Sequence, residues 1–248
     1  MARFLPPPGN RTLLLRILSI FLALSFCSTT HFADNTLTPE EVRRLSALEQ
    51  AKQTASILSI ESPAEKTLLE TPSRPVDPAS PGIDKLIAQM EKTARLQGGS
   101  GIAAVQVGIP VRLVLLRRRD GDGGERFQPF INPAIVQRSG KQMSSWEYCL
   151  SVPWGYRYTR RPAQITVRYQ TATGKTTAET LNSDEAVVFQ QEIDHLDGWL
   201  LSGQYPREWF VPSREMDAFA RGIGRQCSSV SRQRCDELME SAWIARGL

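Results

Sequence analysis

The stretch from Asn182 to Gly198 constrains what this chain can fold into more than any other. Asn182, with Glu185 three residues on, is a helix start, and Gly198 is a helix stop. Phe189, Ile193 and Leu196 recur between them at helical spacing, so this helix turns one side to a core. The same helix carries Gln191, Glu192 and His195. In the H-E-x-x-H pattern two histidines one turn apart hold a metal, and the glutamate between them handles the proton of a water. Here the glutamate and the second histidine are present, and Gln191 stands in the first histidine's place. Only two histidines occur in the chain, His31 and His195, so no other histidine of the main domain fills that position.

Charge gives little support to a nucleic-acid partner. The 248 residues carry 30 Lys and Arg against 26 Asp and Glu, but Arg3, Arg11 and Arg16 sit in a leader without acids. Beyond Cys27 the balance is 27 to 26, close to neutral. The leader places those arginines before an apolar run from Ile17 to Phe26, followed by Cys27-Ser28-Thr29-Thr30. That order is the one of a secretory signal, which predicts export and offers a means of membrane association. An organelle transit peptide, rich in Arg and Ser and poor in acids, is the alternative. Bulky Phe26 before Cys27 argues against a lipoprotein signal. The four cysteines, Cys27, Cys149, Cys227 and Cys235, form no C-x-x-C pair, which disfavours a zinc knuckle.

The pattern divides the chain into a targeting segment (1–33), an accessory helix and linker (34–65), a main domain (66–212) and a C-terminal helical extension (213–248). Thr38-Pro39-Glu40-Glu41 starts a helix that should run to about Leu58 with a thin apolar stripe, as a solvated appendage or a partner surface. The Pro- and Ser-rich stretch from Glu61 to Pro81 reads as extended linker, with a short edge strand at Leu68-Leu69-Glu70. Ile83, Leu86, Ile87, Met90 and Ala94 mark a core helix that Gly98-Gly99 ends. Strands follow at 112–117, at 127–132 and 134–137 with a break at Pro133, and as a hairpin over 164–171 and 176–181. The extension should be helical in two pieces, broken near Gly222-Ile223-Gly224. Cys227 and Cys235 pair only if they lie in a loop, since eight residues of helix hold them about 12 Å apart. Helix, several antiparallel strands and helix in that order make the class α+β.

Two more stretches carry chemistry. Gly99-Ser100-Gly101-Ile102-Ala103-Ala104-Val105-Gln106 allows a tight turn and ends on an amide able to donate to a developing oxyanion. Glu147-Tyr148-Cys149-Leu150-Ser151 supplies a thiol. On its own the first is an ordinary Gly-rich turn, and the cysteine of the second a small hydrophobe. In order with 191–198, they resemble the three motifs of the peptide deformylase family: G-x-G-x-A-A-x-Q, E-G-C-L-S and H-E-x-x-H. The resemblance covers roughly residues 66–205, and Phe130-Ile131-Asn132-Pro133 also looks like the family's strand end.

The resemblance implies a peptide deformylase-like fold, antiparallel strands packed around a central motif-bearing helix. It implies Cys149 and His195 as metal ligands with Gln191 at the third position, and Fe2+, Zn2+ or Ni2+ as the metal. Glu192 takes the general base and acid role. The Gln106 amide and the Leu150 backbone N–H form the oxyanion hole. Gly99, Gly101, Ile102 and Tyr148 lie against the substrate, a formylated peptide N-terminus. The sequence departs from the family pattern at Gln191, a poorer donor than imidazole, and at Tyr148, which replaces a glycine. A lost ligand costs at least the ~10–100-fold in metal affinity that a lost supporting group costs. Two functions follow: a metal-dependent hydrolase of N-formyl groups, or an inactive relative that serves as a peptide-binding or interaction module.

Overall fold

The run Leu113-Val114-Leu115-Leu116 is apolar on both sides, so the strand it forms has to be covered on both faces. A computed structural model, which describes residues 35–227 and Glu237, shows the covering elements. Helices α1 (Pro39–Gln50), α2 (Pro63–Leu69) and α3 (Ile83–Gln97) precede strand β1 (Gly101–Ala103) and a 3-10 turn (Ala104–Val107). Strands β2 (Leu113–Arg119), β3 (Glu125–Arg138), β4 (Gln142–Cys149), β5 (Val152–Pro162), β6 (Gln164–Gln170) and β7 (Thr176–Asn182) lead into α4 (Ser183–Leu196). Helix α5 (Leu201–Gln204), a second 3-10 turn (Arg207–Trp209) and α6 (Ser213–Cys227) follow.

All neighbouring strands pair antiparallel, in a five-stranded sheet of order β1-β2-β3-β6-β7 and a separate two-stranded hairpin β4-β5. Alternation along β2 then builds two cores. Val114 and Leu116 pack with Phe130, Val167 and the α4 residues Phe189 and Ile193. Leu113 and Leu115 pack with Ile131, with Leu86 and Met90 of α3, and with Leu45 of α1. The Phe130 ring meets Phe189 edge-on at 4.7 Å, which ties the sheet to the motif-bearing helix. The fold is α+β with antiparallel strands around α4, as the sequence predicts.

Several elements differ from expectation. Helix α1 stops at Gln50, not near Leu58, and it is no solvated appendage: Leu45 is 2% exposed and belongs to the core. The expected linker contains α2, and Leu68-Leu69-Glu70 ends that helix rather than forming an edge strand. Leu69 is fully buried, which rewards a helical turn there more than a free edge. Strand β3 runs unbroken through Pro133, because a register shift between Ile131 and Ala134 absorbs the missing N–H. Asn132 takes φ +49° there, and its side chain bonds Val76 on both backbone atoms. The expected capping box at Asn182 does not form: the side chain of Asn182 accepts from Gln164 instead. Helix α6 passes through Gly222-Ile223-Gly224 without a break. The leader with His31, and the partner residue of any Cys227–Cys235 bond, lie outside the described residues. Among those described, no helix is long and apolar enough to cross a membrane.

The buried place of α1 has a measurable consequence. Leu45→Ala should lower the urea unfolding free energy by about 2–4 kcal/mol, the range for emptying a core leucine site. A change below ~0.5 kcal/mol, the size of a surface substitution, contradicts the packing.

Candidate active site

The site forms where the β4–β5 hairpin meets α4. Cys149 ends β4 at a register shift between Tyr148 and Cys149, which turns the thiol inward. Its Sγ lies 3.3 Å from Nε2 of His195, on the last turn of α4. Gln191 and Glu192 occupy the preceding turn, and all four side chains are buried. They line one cavity of ≈ 390 Å³. Gly99, Gly101, Gln106, Tyr148 and Leu150 line it as well. Ile102 does not: it is fully buried with Leu86 and Met90 on the other face of the sheet. Strand alternation explains where the Ile102 side chain goes, since Gly101 faces α4 and its neighbour's side chain must face away.

Gly101 is required by that approach. A Cβ added there would stand 2.7 Å from Oε1 of Glu192 and 2.8 Å from Cγ1 of Val188. Any side chain at 101 would push β1 off the helix. Gln106 is held at both ends of its amide: Oε1 accepts from the Ala103 N–H at 2.9 Å, and Nε2 donates to Ser151 Oγ at 3.2 Å. The Tyr148 ring lies against Tyr156, with centroids 5.1 Å apart, and forms a wall of the cavity.

An ion network that sequence reading missed fastens the hairpin to α4. Arg161 on β5 donates to Glu147 from Nε at 2.5 Å and from Nη2 at 2.9 Å, and to Asp194 from Nη1 at 2.8 Å. The Thr159 hydroxyl also donates to Glu147. Asp194 adjoins His195 and Glu147 is two residues from Cys149, so one guanidinium sets the spacing of thiol and imidazole. Burial opposes the Arg161 charge, but Glu147 and Asp194 outweigh it and raise its pKa above the ordinary arginine value. The available signal was Glu147 itself, a carboxylate beside a core cysteine that demands a cation. Strand pairing points to the wrong one: Arg157 lies opposite Glu147 in register, yet its guanidinium stacks over Tyr205 at 4.3 Å. Asp197 pairs with Arg112 at 2.7 Å, further from the chemistry.

Burial drives the site groups toward their uncharged forms. It pushes the Cys149 thiol up to about 12 and holds the His195 imidazole down to about 4. It pushes Glu192 up to about 8, with the Glu147 and Asp194 charges adding and Arg161 opposing. Among the described residues that line the cavity, the buried atoms Ser145 Oγ, Gln191 Nε2, Glu192 Oε2 and His195 Nδ1 have no hydrogen-bond partner. Among the described residues no three His, Cys, Asp or Glu side chains gather as a metal site. Two donors do fit a cation. Ligand bonds of about 2.3 Å to sulfur and 2.0 Å to nitrogen at a tetrahedral angle put the two atoms about 3.5 Å apart. The 3.3 Å between Cys149 and His195 matches that separation. Gln191, one turn before His195, lines the same cavity.

An α+β domain with a thiol 3.3 Å from an imidazole, beside a buried carboxyl on the same motif helix, is compatible with a metal-dependent hydrolase, the class to which its relatives belong. The family model for polypeptide deformylase matches residues 55–208, and the chain belongs to the peptide deformylase family, which acts on the N-formyl group of new peptides. It is 39% identical over 134 residues to a peptide deformylase of Rhodopseudomonas palustris, covering 53% of this chain and 74% of that protein. It is 37% identical over 146 residues to one of Caulobacter vibrioides, covering 58% and 83%. Among solved structures, a probable peptide deformylase from synechococcus phage S-SSM7 aligns at 30% identity and TM-score 0.56 over 61% of this chain and all of that one. A Met-Ala-Ser-bound peptide deformylase from Acinetobacter baumannii aligns at 26% and 0.55, over 61% and 98%.

The raised carboxyl makes stability depend on pH. Glu192 titrates higher folded than unfolded, so its contribution is complete below the unfolded value near 4.5 and is lost as pH rises through about 8. Glu192→Gln cannot ionise. In metal-free protein it should be more stable than the unmodified chain near pH 8, by a few kcal/mol, and similar near pH 4.5. Denaturant unfolding at both pH values checks this, and equal stability of the two proteins at both contradicts the raised carboxyl.

Proposed function

We propose that this chain is a hydrolase of N-formyl-methionyl peptides with a metal site weakened at one ligand. The observation that carries the reading is the thiol of Cys149, 3.3 Å from the imidazole of His195, beside the buried carboxyl of Glu192. Cys149, His195 and the amide oxygen of Gln191 would hold Fe2+, Zn2+ or Ni2+. A bound cation would polarise the formyl carbonyl and make a water acidic enough to attack it.

The chain's own groups supply the rest. Glu192, ionised, takes the proton from the attacking water and returns it to the leaving amine. Gln106 Nε2 and the Leu150 backbone N–H donate to the oxyanion as the carbon becomes tetrahedral. Gly99 and Gly101 let the peptide approach β1 closely. The Tyr148–Tyr156 wall narrows the mouth and selects among the residues that follow the formyl-methionine.

A second reading rests on the unpartnered amide Nε2 of Gln191. A buried donor in an otherwise polar cavity can bind a peptide carbonyl, and the domain would then hold a peptide without cleaving it. One experiment separates the two. The reduced protein is purified without oxygen, its bound iron, zinc and nickel are measured, and a formyl-methionyl peptide is assayed beside the Gln191→His variant. We expect slow turnover with partial metal occupancy, and at least a roughly tenfold gain in metal affinity on Gln191→His. Peptide binding with neither metal nor turnover in either form overturns the hydrolase reading in favour of the second.

A further inference from the structure

We propose that Arg44 of helix α1 is a positioning residue for the oxyanion donor Gln106. Helix α1 lies ahead of the stretch matched to the family, residues 55–208, so nothing in the family's pattern assigns it a role. Its guanidinium reaches the far end of the 3-10 turn that carries Gln106. Nη2 donates to the Val107 carbonyl at 3.1 Å and Nη1 to the Gly108 carbonyl at 3.2 Å. Those carbonyls close a short helical turn, where no backbone partner follows within the turn. The Gln106 carbonyl itself accepts from Leu58 N–H at 2.8 Å. Three successive carbonyls are thus taken by chain that precedes α2.

Gly108 fits the same purpose. It takes φ +80°, and a Cβ there would stand 2.5 Å from Arg44 Nη1. Only glycine lets the guanidinium lie against the turn. Helix α1 is in turn fixed in place. Thr38 and Glu41 cap its start reciprocally, Glu41 also pairs with Arg74 at 2.6 Å, and Leu45 is in the core. The rigid path therefore runs from the sheet through α1 and Arg44 to the turn, and from the turn to the Gln106 amide. An amide aimed at an oxyanion loses most of its effect when displaced by about 1 Å.

This rests on the reading of Gln106 as an oxyanion donor, and the test separates the two. Protein labelled with 15N-glutamine gives side-chain amide signals, and the Gln106 pair is assigned by its loss in Gln106→Glu. Arg44→Met keeps the alkyl stem and removes both donors. We expect it to shift the Gln106 amide pair and speed its hydrogen exchange roughly tenfold, leaving the Gln190 pair, bonded within α4 and to Pro162, unchanged. Arg44→Lys, with one donor group, should restore part of the effect. In metal-loaded protein kcat on a formyl-methionyl peptide should fall roughly tenfold at constant KM. An unchanged Gln106 pair in Arg44→Met, or Gln106 and Gln190 moving together, overturns the proposal. A shifted Gln106 pair without turnover in any form upholds the positioning and overturns only the hydrolase reading.

Discussion

The Arg161 guanidinium is the contact on which the site depends. It joins Glu147, two residues before the cysteine, to Asp194, one residue before the histidine. Glu147 is 5% exposed, so its charge is tolerable only because Arg161 and Thr159 saturate it. Removing one member of such a buried network costs about 3–5 kcal/mol, since the remaining charge is stranded. The hairpin β4–β5 is not part of the five-stranded sheet. Without the guanidinium it would have few polar ties to α4, and the thiol would be free to leave the imidazole.

Within that frame, the site has the electrostatics of a core. Cys149, Glu192 and His195 are each driven by burial to the neutral form. A cation entering there has to displace the thiol proton, and its own charge supplies the compensation that burial withholds. That is where Gln191 matters physically. On the proposed reading, an imidazole at 191 would add a nitrogen donor to the pair already 3.3 Å apart, whereas the amide would offer a weaker oxygen donor and leaves an N–H group with no partner. The rest of the scaffold is kept: the glycine that admits Glu192, the doubly held Gln106 and the Arg161 network are all intact.

What the sequence disclosed followed periodicity and motif order. Helix α3, helix α4 and the β6–β7 hairpin have clean apolar spacing, and the three motifs do converge on one cavity. The β4–β5 hairpin was not legible, because Ser144, Ser145, Arg160 and Arg161 break any alternation and its stability comes from side-chain bonds. Helix α2 was hidden in a Pro- and Ser-rich stretch where Pro63 starts a helix rather than ending one. The docking of α1 was hidden because its partners are distant in sequence: Leu45 reaches the core with Val42 and Leu48 against it, Glu41 meets Arg74, Glu49 meets Lys85, and Arg44 meets two carbonyls. The Ile102 side chain lies away from the cavity for a simpler reason: a motif names residues in a row, and a strand sends alternate side chains to opposite faces.

The central claim is that the sulfur at 149 and the ring at 195 face a single point. Cobalt(II) titration of the reduced protein reads this directly, because a thiolate bound to cobalt gives a charge-transfer band in the near ultraviolet. We predict that band in Gln191→His, at lower affinity in the unmodified protein, and its loss on Cys149→Ser or His195→Ala. A band absent from both unmodified protein and Gln191→His, or one that survives Cys149→Ser, would contradict the account.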